Sequence, residues 1–174
     1  MYLFEVENVG FYRSKKAIAT WIEKLRINNA SINDDLTVDV DGPLTIRGEK
    51  LKFIPIKFRN VFGPVTINSN IIKNIDWLPE FTLGSLDIEY NQIDSYHNIH
   101  KIVDTIDGAF YGDTCSHLLG LLYIKKLRFV DVDSAGPISD IINKYLVKQP
   151  YGQRDVHSCQ EELIESGFAE QARF

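Results

Sequence analysis

The chain is short of several things that would each announce a function. Only two of its 174 residues are cysteine, Cys115 and Cys159, so a disulfide framework is excluded as an organising device and free thiols in a reducing compartment are expected. No apolar run approaches the ~20 residues needed to cross a bilayer. The first apolar segment carries Glu5 and Glu7, unlike a secretory signal. Positive charge is not in excess: 19 Lys and Arg face 24 Asp and Glu, a formal net charge of −5, which argues against a general nucleic-acid binder. No glycine-rich strand-to-helix turn carries the lysine of a phosphate loop. What is present, 44% hydrophobic and 25% charged residues without bias, suits one compact intracellular domain with its own core.

Self-similarity organises that core. Val40-Asp41-Gly42-Pro43-Leu44-Thr45-Ile46 returns 21 residues later as Val61-Phe62-Gly63-Pro64-Val65-Thr66-Ile67. After another 21 it reads Thr82-Leu83-Gly84-Ser85-Leu86-Asp87-Ile88, and after 24 more, loosely, Ile106-Asp107-Gly108-Ala109-Phe110-Tyr111-Gly112. Counted from each glycine, apolar residues recur two and four places on (Leu44 and Ile46, Val65 and Ile67, Leu86 and Ile88), nine on (Leu51, Ile72, Ile93) and twelve on (Ile54, Ile75). The first pair has strand periodicity, so each repeat reads as one short strand and a return. Asn70 and Asn91 share a phase just after their strands, where an amide side chain bonds the backbone of its own turn or of the neighbouring coil; Glu49 holds that place in the first copy.

A period of 21 is too short for a two-helix repeat and falls in the leucine-rich-repeat range. The fold expected is α/β: a short, right-handed solenoid with a parallel strand ladder over residues 36–117, an N-terminal helical cap (1–35) and a C-terminal strand and helix cap (118–174). Ser14 caps the expected first helix, whose stripe is Ala17, Ile18, Trp21, Ile22 and Leu25. A turn at Asn28-Asn29 leads to a strand over residues 36–40. Leu118 to Ile124 and Leu127 to Val132 read as strand-like runs. Helices are expected from Pro137 to about Leu146 and from about Asp155 to Glu165, joined by a loop at Pro150-Tyr151-Gly152 and stopped by Gly167.

Several segments resemble the leucine-rich-repeat-like proteins of large tailed, T4-like bacteriophages. They are the run from Ile32 to Gly42 (Ile-Asn-Asp-Asp-Leu-Thr-Val-Asp-Val-Asp-Gly), the turn Ile54-Pro55-Ile56-Lys57-Phe58, and Cys159-Gln160-Glu161-Glu162-Leu163-Ile164-Glu165-Ser166-Gly167-Phe168 near the end. The resemblance covers most of residues 16–170 and implies architecture without a catalytic motif. It also implies a non-enzymatic, phage-encoded protein in the host cytoplasm that docks on a host protein and modulates or inhibits it. The chain departs from the long members of that family in having few coils, hence a small concave sheet.

Candidate chemistry is sparse. His97, His100, Cys115 and His117 cluster, and the first two have a helical spacing that suits a metal; a metal-dependent enzyme is therefore the alternative reading, and a virion or assembly component a third. Packing of Ile99, Ile102, Val103 and Ile106 is the plainer account of that segment, and no cofactor or metal is assigned. Cys159 near His157, and the carboxylate pairs Asp131 with Asp133 and Asp87 with Glu89, read as cap packing and solvated faces.

Charge order is the informative signal. Leu44 to Ile75 holds six basic residues against Glu49, and Asp76 to Asp113 holds eight acidic residues against Lys101. Positions between the inward ones face out: Thr45 and Arg47, Thr66 and Asn68, Asp87 and Glu89, Tyr111 and Asp113. They form the expected partner-binding face, grading from basic to acidic, on a monomer or small homo-oligomer.

Overall fold

The computed structural model describes residues 11–148 and 152–174; the opening segment and most of the Pro150 loop lie outside them. The elements in chain order are α1 (Lys15–Lys24), β1 (Ala30–Ile32), β2 (Val38–Val40), β3 (Leu44–Thr45), β4 (Phe58–Val61), β5 (Val65–Thr66), β6 (Phe81–Thr82), β7 (Leu86–Asp87), β8 (Thr105–Ile106), β9 (Ala109–Tyr111), β10 (Phe129–Asp131), α2 (Pro137–Lys148) and α3 (Val156–Glu165).

The strands stack into a parallel solenoid of about four turns. Two sheets run up it, in the orders β1-β2-β4-β6-β8 and β10-β9-β7-β5-β3. Every pairing is parallel except the hairpin of β1 on β2. Each coil therefore carries two short strands, one on either side of its glycine, where the repeat alone suggested one. Residues two places before the glycine (Val40, Val61, Thr82, Ile106) point inward as fully as those two places after, all 0% exposed. The glycine is the corner between two ladders.

That corner demands glycine. A Cβ on Gly63 would stand 2.6 Å from the carbonyl carbon of Gly42, and one on Gly108 would stand 2.7 Å from that of Gly84. Successive corners stack backbone on backbone, closer than any side chain permits. Leu44, Val65, Leu86, Phe110 and Val130 then superpose in one inward column through the registers Leu44↔Val65↔Leu86↔Phe110↔Val130. Leu51 and Ile72, Ile54 and Ile75, and Ile46, Ile67 and Ile88 fill the return side of the same core. A fully buried Leu, Val or Phe contributes about 1.5–3 kcal/mol each.

Asparagines tie the coils at their return turns. Asn70 accepts from the N–H of Leu51 and donates to the carbonyls of Ile46, one coil back, and Asn68. Asn91 repeats the inter-coil bond to Ile67 and donates also to Ile88. Cys115 holds the next place in that phase, so the ladder stops there.

Outside the repeats, α1 starts where Ser14 accepts from the N–H of Ala17, and buries Ile18 and Trp21. The strand expected from residue 36 begins only at Val38, because Leu36 takes a left-handed backbone (φ 67°) in the β1–β2 turn and Asp35 holds the N–H and hydroxyl of Thr37. Leu118–Tyr123 is a 3-10 helix, correcting the strand reading of that run. Leu118 with Leu121, and Leu119 with Leu122, are all buried; two adjacent inward pairs three residues apart fit a three-residue turn and not an alternating strand. Arg154 reaches back to the carbonyls of Leu122 and Ile124 at its end.

The last rung, β10, meets α2. Asn143 accepts from the N–H of Val130 and donates to its carbonyl, taking the place of another strand, while Ser139 accepts from the N–H of Val132. The edge that the sequence leaves open is occupied by helix side chains.

Candidate functional site: the outward face of the second sheet

On the sheet β3-β5-β7-β9-β10, residues that alternate with the buried column form an outward row. Thr45, Thr66, Asp87 and Tyr111 lie side by side in register, and Asp131 of β10 extends the row by one. Arg47, Asn68, Glu89 and Asp113 follow two places on along the same coils. Four of the eight residues of the expected face thus stand in one row of that sheet, whereas Arg47, Asn68, Glu89 and Asp113 lie beyond its strands and Asn68 is buried.

Their states differ from a uniformly solvated surface. Arg47 is exposed and its Nη2 lies 3.9 Å from Asp87 Oδ2, across an intervening coil. Asn68 is only 9% exposed and donates to the same Asp87 carboxylate at 2.8 Å. Asp113 accepts from the backbone N–H groups of Tyr90 and Asn91 at 2.9 Å each, so it closes the turn of the preceding coil. Glu89 has its carboxyl pushed up from the ordinary value, first by burial and then by the neighbouring Asp87, Asp131 and Asp113. A partly buried carboxylate near three others holds its charge less readily than a free one. Asp131 is the member that sequence reading missed, since a strand 20 residues after Phe110 carries no corner glycine; the Phe-Val-Asp-Val alternation was its one local signal.

The histidine group divides. His97 and His117 meet edge to face at 5.4 Å between ring centres, with Nδ1 of His117 held by the hydroxyls of Ser95 and Ser116. His100 instead packs on Tyr123 at 5.1 Å, and burial pushes its pKa down. Burial pushes the Cys115 thiol up to about 12. Among the described residues no three His, Cys, Asp or Glu side chains are grouped to hold a metal ion.

Other pairs have structural work. Asp133 accepts from the N–H groups of Gly136, Ile138 and Ser139 at the start of α2, and Asp131 accepts from that of Ala135. Cys159 is fully buried, with its thiol also pushed up to about 12 by burial, while His157 turns to Glu161 at 3.4 Å. A thiol held so far above neutral pH is a poor nucleophile.

The fold defines the chain as a parallel-strand solenoid with a few helices. Comparison with protein-family models, with curated proteins and with solved structures found no match. Among the described residues no helix is long and apolar enough to cross a membrane.

Proposed function

We propose that this solenoid is a non-enzymatic protein-binding module of the leucine-rich-repeat-like kind, closed at its two ends by α1 and by α2 with α3, and that it docks on another protein through the outward face of the second sheet. The observation that carries the reading is the in-register row Thr45, Thr66, Asp87, Tyr111 and Asp131, flanked two residues further along the coils by basic Arg47 and acidic Glu89 and Asp113. A rigid ladder holds such a pattern in fixed register, which orients a complementary partner and rejects a mismatched one. The sequence resemblance supplies the setting: a phage-encoded protein that modulates or inhibits a host protein in the host cytoplasm.

The test is affinity purification of the tagged chain from infected cells, in parallel with the Arg47→Glu, Glu89→Lys double variant. A partner recovered by the parent and lost by the folded double variant supports the reading. Equal recovery by both excludes this face.

A further inference from the structure

A second surface stands out on the corner itself. The residues immediately before the four corner glycines, Asp41, Phe62, Leu83 and Asp107, continue the rungs of the first sheet and so stack in one column. Phe62 and Leu83 are each 48% exposed, and the Phe62 ring leans on Phe81 at 5.9 Å between centres. Pro64, just past its glycine, is exposed as well. An aromatic and an aliphatic side chain left in solvent on adjacent rungs of a rigid ladder are a contiguous apolar centre, and such centres with polar margins are the anatomy of an interface.

The margins identify the occupant. Asp41 is exposed and makes no ion pair among the described residues. At the other end, Asp107 is flanked by Lys126 at 2.9 Å and Arg128 at 2.6 Å, one carboxylate against two cations. The column therefore carries one net negative charge at its first rung and one net positive charge at its last, with apolar groups between. Along the neighbouring sheet the charges pair internally, Asp39 with Arg59 and Lys57 with Glu80, and add no net charge.

We propose that the corner column binds a second copy of this chain about a two-fold axis that passes between the Phe62 and Leu83 rungs. Rotation about that axis reverses the column. Phe62 of each copy then meets Leu83 of the other, and Asp41 of each meets the Asp107–Lys126–Arg128 group of the other. A two-fold contact requires a self-complementary patch, and this one is complementary in both its apolar and its charged parts. Rungs are spaced at roughly 4.8 Å, so the column is about 14 Å long; a contact that short falls well below a standard interface, and the dimer expected is a weak one that forms only as concentration rises. The inference is independent of the docking face on the second sheet, since the purified chain alone tests it.

The experiment is sedimentation equilibrium of the full chain from about 1 to about 500 µM. The expected result is a mass that rises from monomer to dimer with concentration. Phe62→Ser with Leu83→Ser should leave a monomer throughout, with the parent's circular dichroism and a cooperative melt shifted down by the loss of the half-buried Phe62 contact with Phe81. Asp41→Lys should weaken association about tenfold, and Asp41→Lys combined with Arg128→Glu should recover it, because the charges are then exchanged. A parent that stays monomeric at the highest concentration overturns the proposal. So does a dimer that survives loss of both apolar groups, or one indifferent to the charge exchange.

Discussion

The two ladder asparagines make a matched pair whose unequal hydrogen bonding predicts unequal cost of removal. Asn70 is 5% exposed and uses both ends of its amide. Its oxygen receives the Leu51 N–H at 3.2 Å, and its nitrogen serves Ile46 and Asn68 at 3.2 and 3.0 Å. Asn70→Ala strands the Leu51 N–H, about 1–3 kcal/mol, and removes two further bonds of about 1 kcal/mol each. These sum to about 3–5 kcal/mol, and we expect at least the lower figure, about 3 kcal/mol. In Asn91 the nitrogen serves Ile67 and Ile88 at 2.8 Å each, but the buried oxygen meets no donor among the described residues. Asn91→Ala therefore removes an unsatisfied acceptor together with the useful donor, and the relief offsets much of the loss, leaving about 1 kcal/mol. For a chain of this length each kcal/mol moves the melting temperature by about 2–4 °C, so the expected falls are about 6–12 °C for Asn70→Ala and about 2–4 °C for Asn91→Ala. Urea unfolding of parent and variants measures both. If Asn91→Ala proves as damaging as Asn70→Ala, the idea that amide satisfaction sets the strength of the ladder is wrong.

Two further outcomes follow from the corner and from the first sheet. Gly63→Ala places a methyl group 2.6–2.7 Å from the backbone of the preceding coil, which has no rotamer with which to yield, and should cost about 3 kcal/mol by urea unfolding; Gly48→Asn, in open space at φ 66°, should change stability by less than about 0.5 kcal/mol. Burial pushes the Asp39 carboxyl up, but the guanidinium of Arg59 at 2.6 Å, the Asn33 amide and the backbone N–H of Asn60 together hold it below the ordinary range. A group depressed on folding stabilises at pH above its unfolded value and ceases to do so as pH falls through the folded one. Melting temperature should thus fall at the acid end of a scan from about pH 7 to about pH 3, and the fall should be shallower in Asp39→Asn.

Much of the architecture is legible in the chain itself. Phased glycines, the aliphatic positions two and four places beyond them, and the asparagines of the return turns are set by local sterics and by a fixed spacing, so reading them needs no knowledge of distant contacts. The Ser14 start of α1 belongs to the same class, as do the Pro137 start of the second helix and the end of the third before Gly167, whereas the second helix runs two residues past the expected Leu146, to Lys148. The row Thr45, Thr66, Asp87 and Tyr111 came from the same alternation, whereas Asn68, expected outward, is buried.

Tertiary structure decided what depends on how many neighbours a group acquires. The inward positions before each glycine became strands because stacking gave their backbones a partner, which no single coil possesses. The leucines of Leu118–Tyr123 became a tight helix because both of their pairs found core to fill, and an unbroken apolar run is equally consistent with a strand until that core exists. Asp113 and Asp133 look like free carboxylates in the sequence, but each satisfies backbone N–H groups that only the folded turns present to it. The exposure of Phe62 and Leu83 is of the same kind. Their period is written in the chain, but an apolar residue beside a corner glycine remains outside because stacked backbones leave no interior there for it to enter.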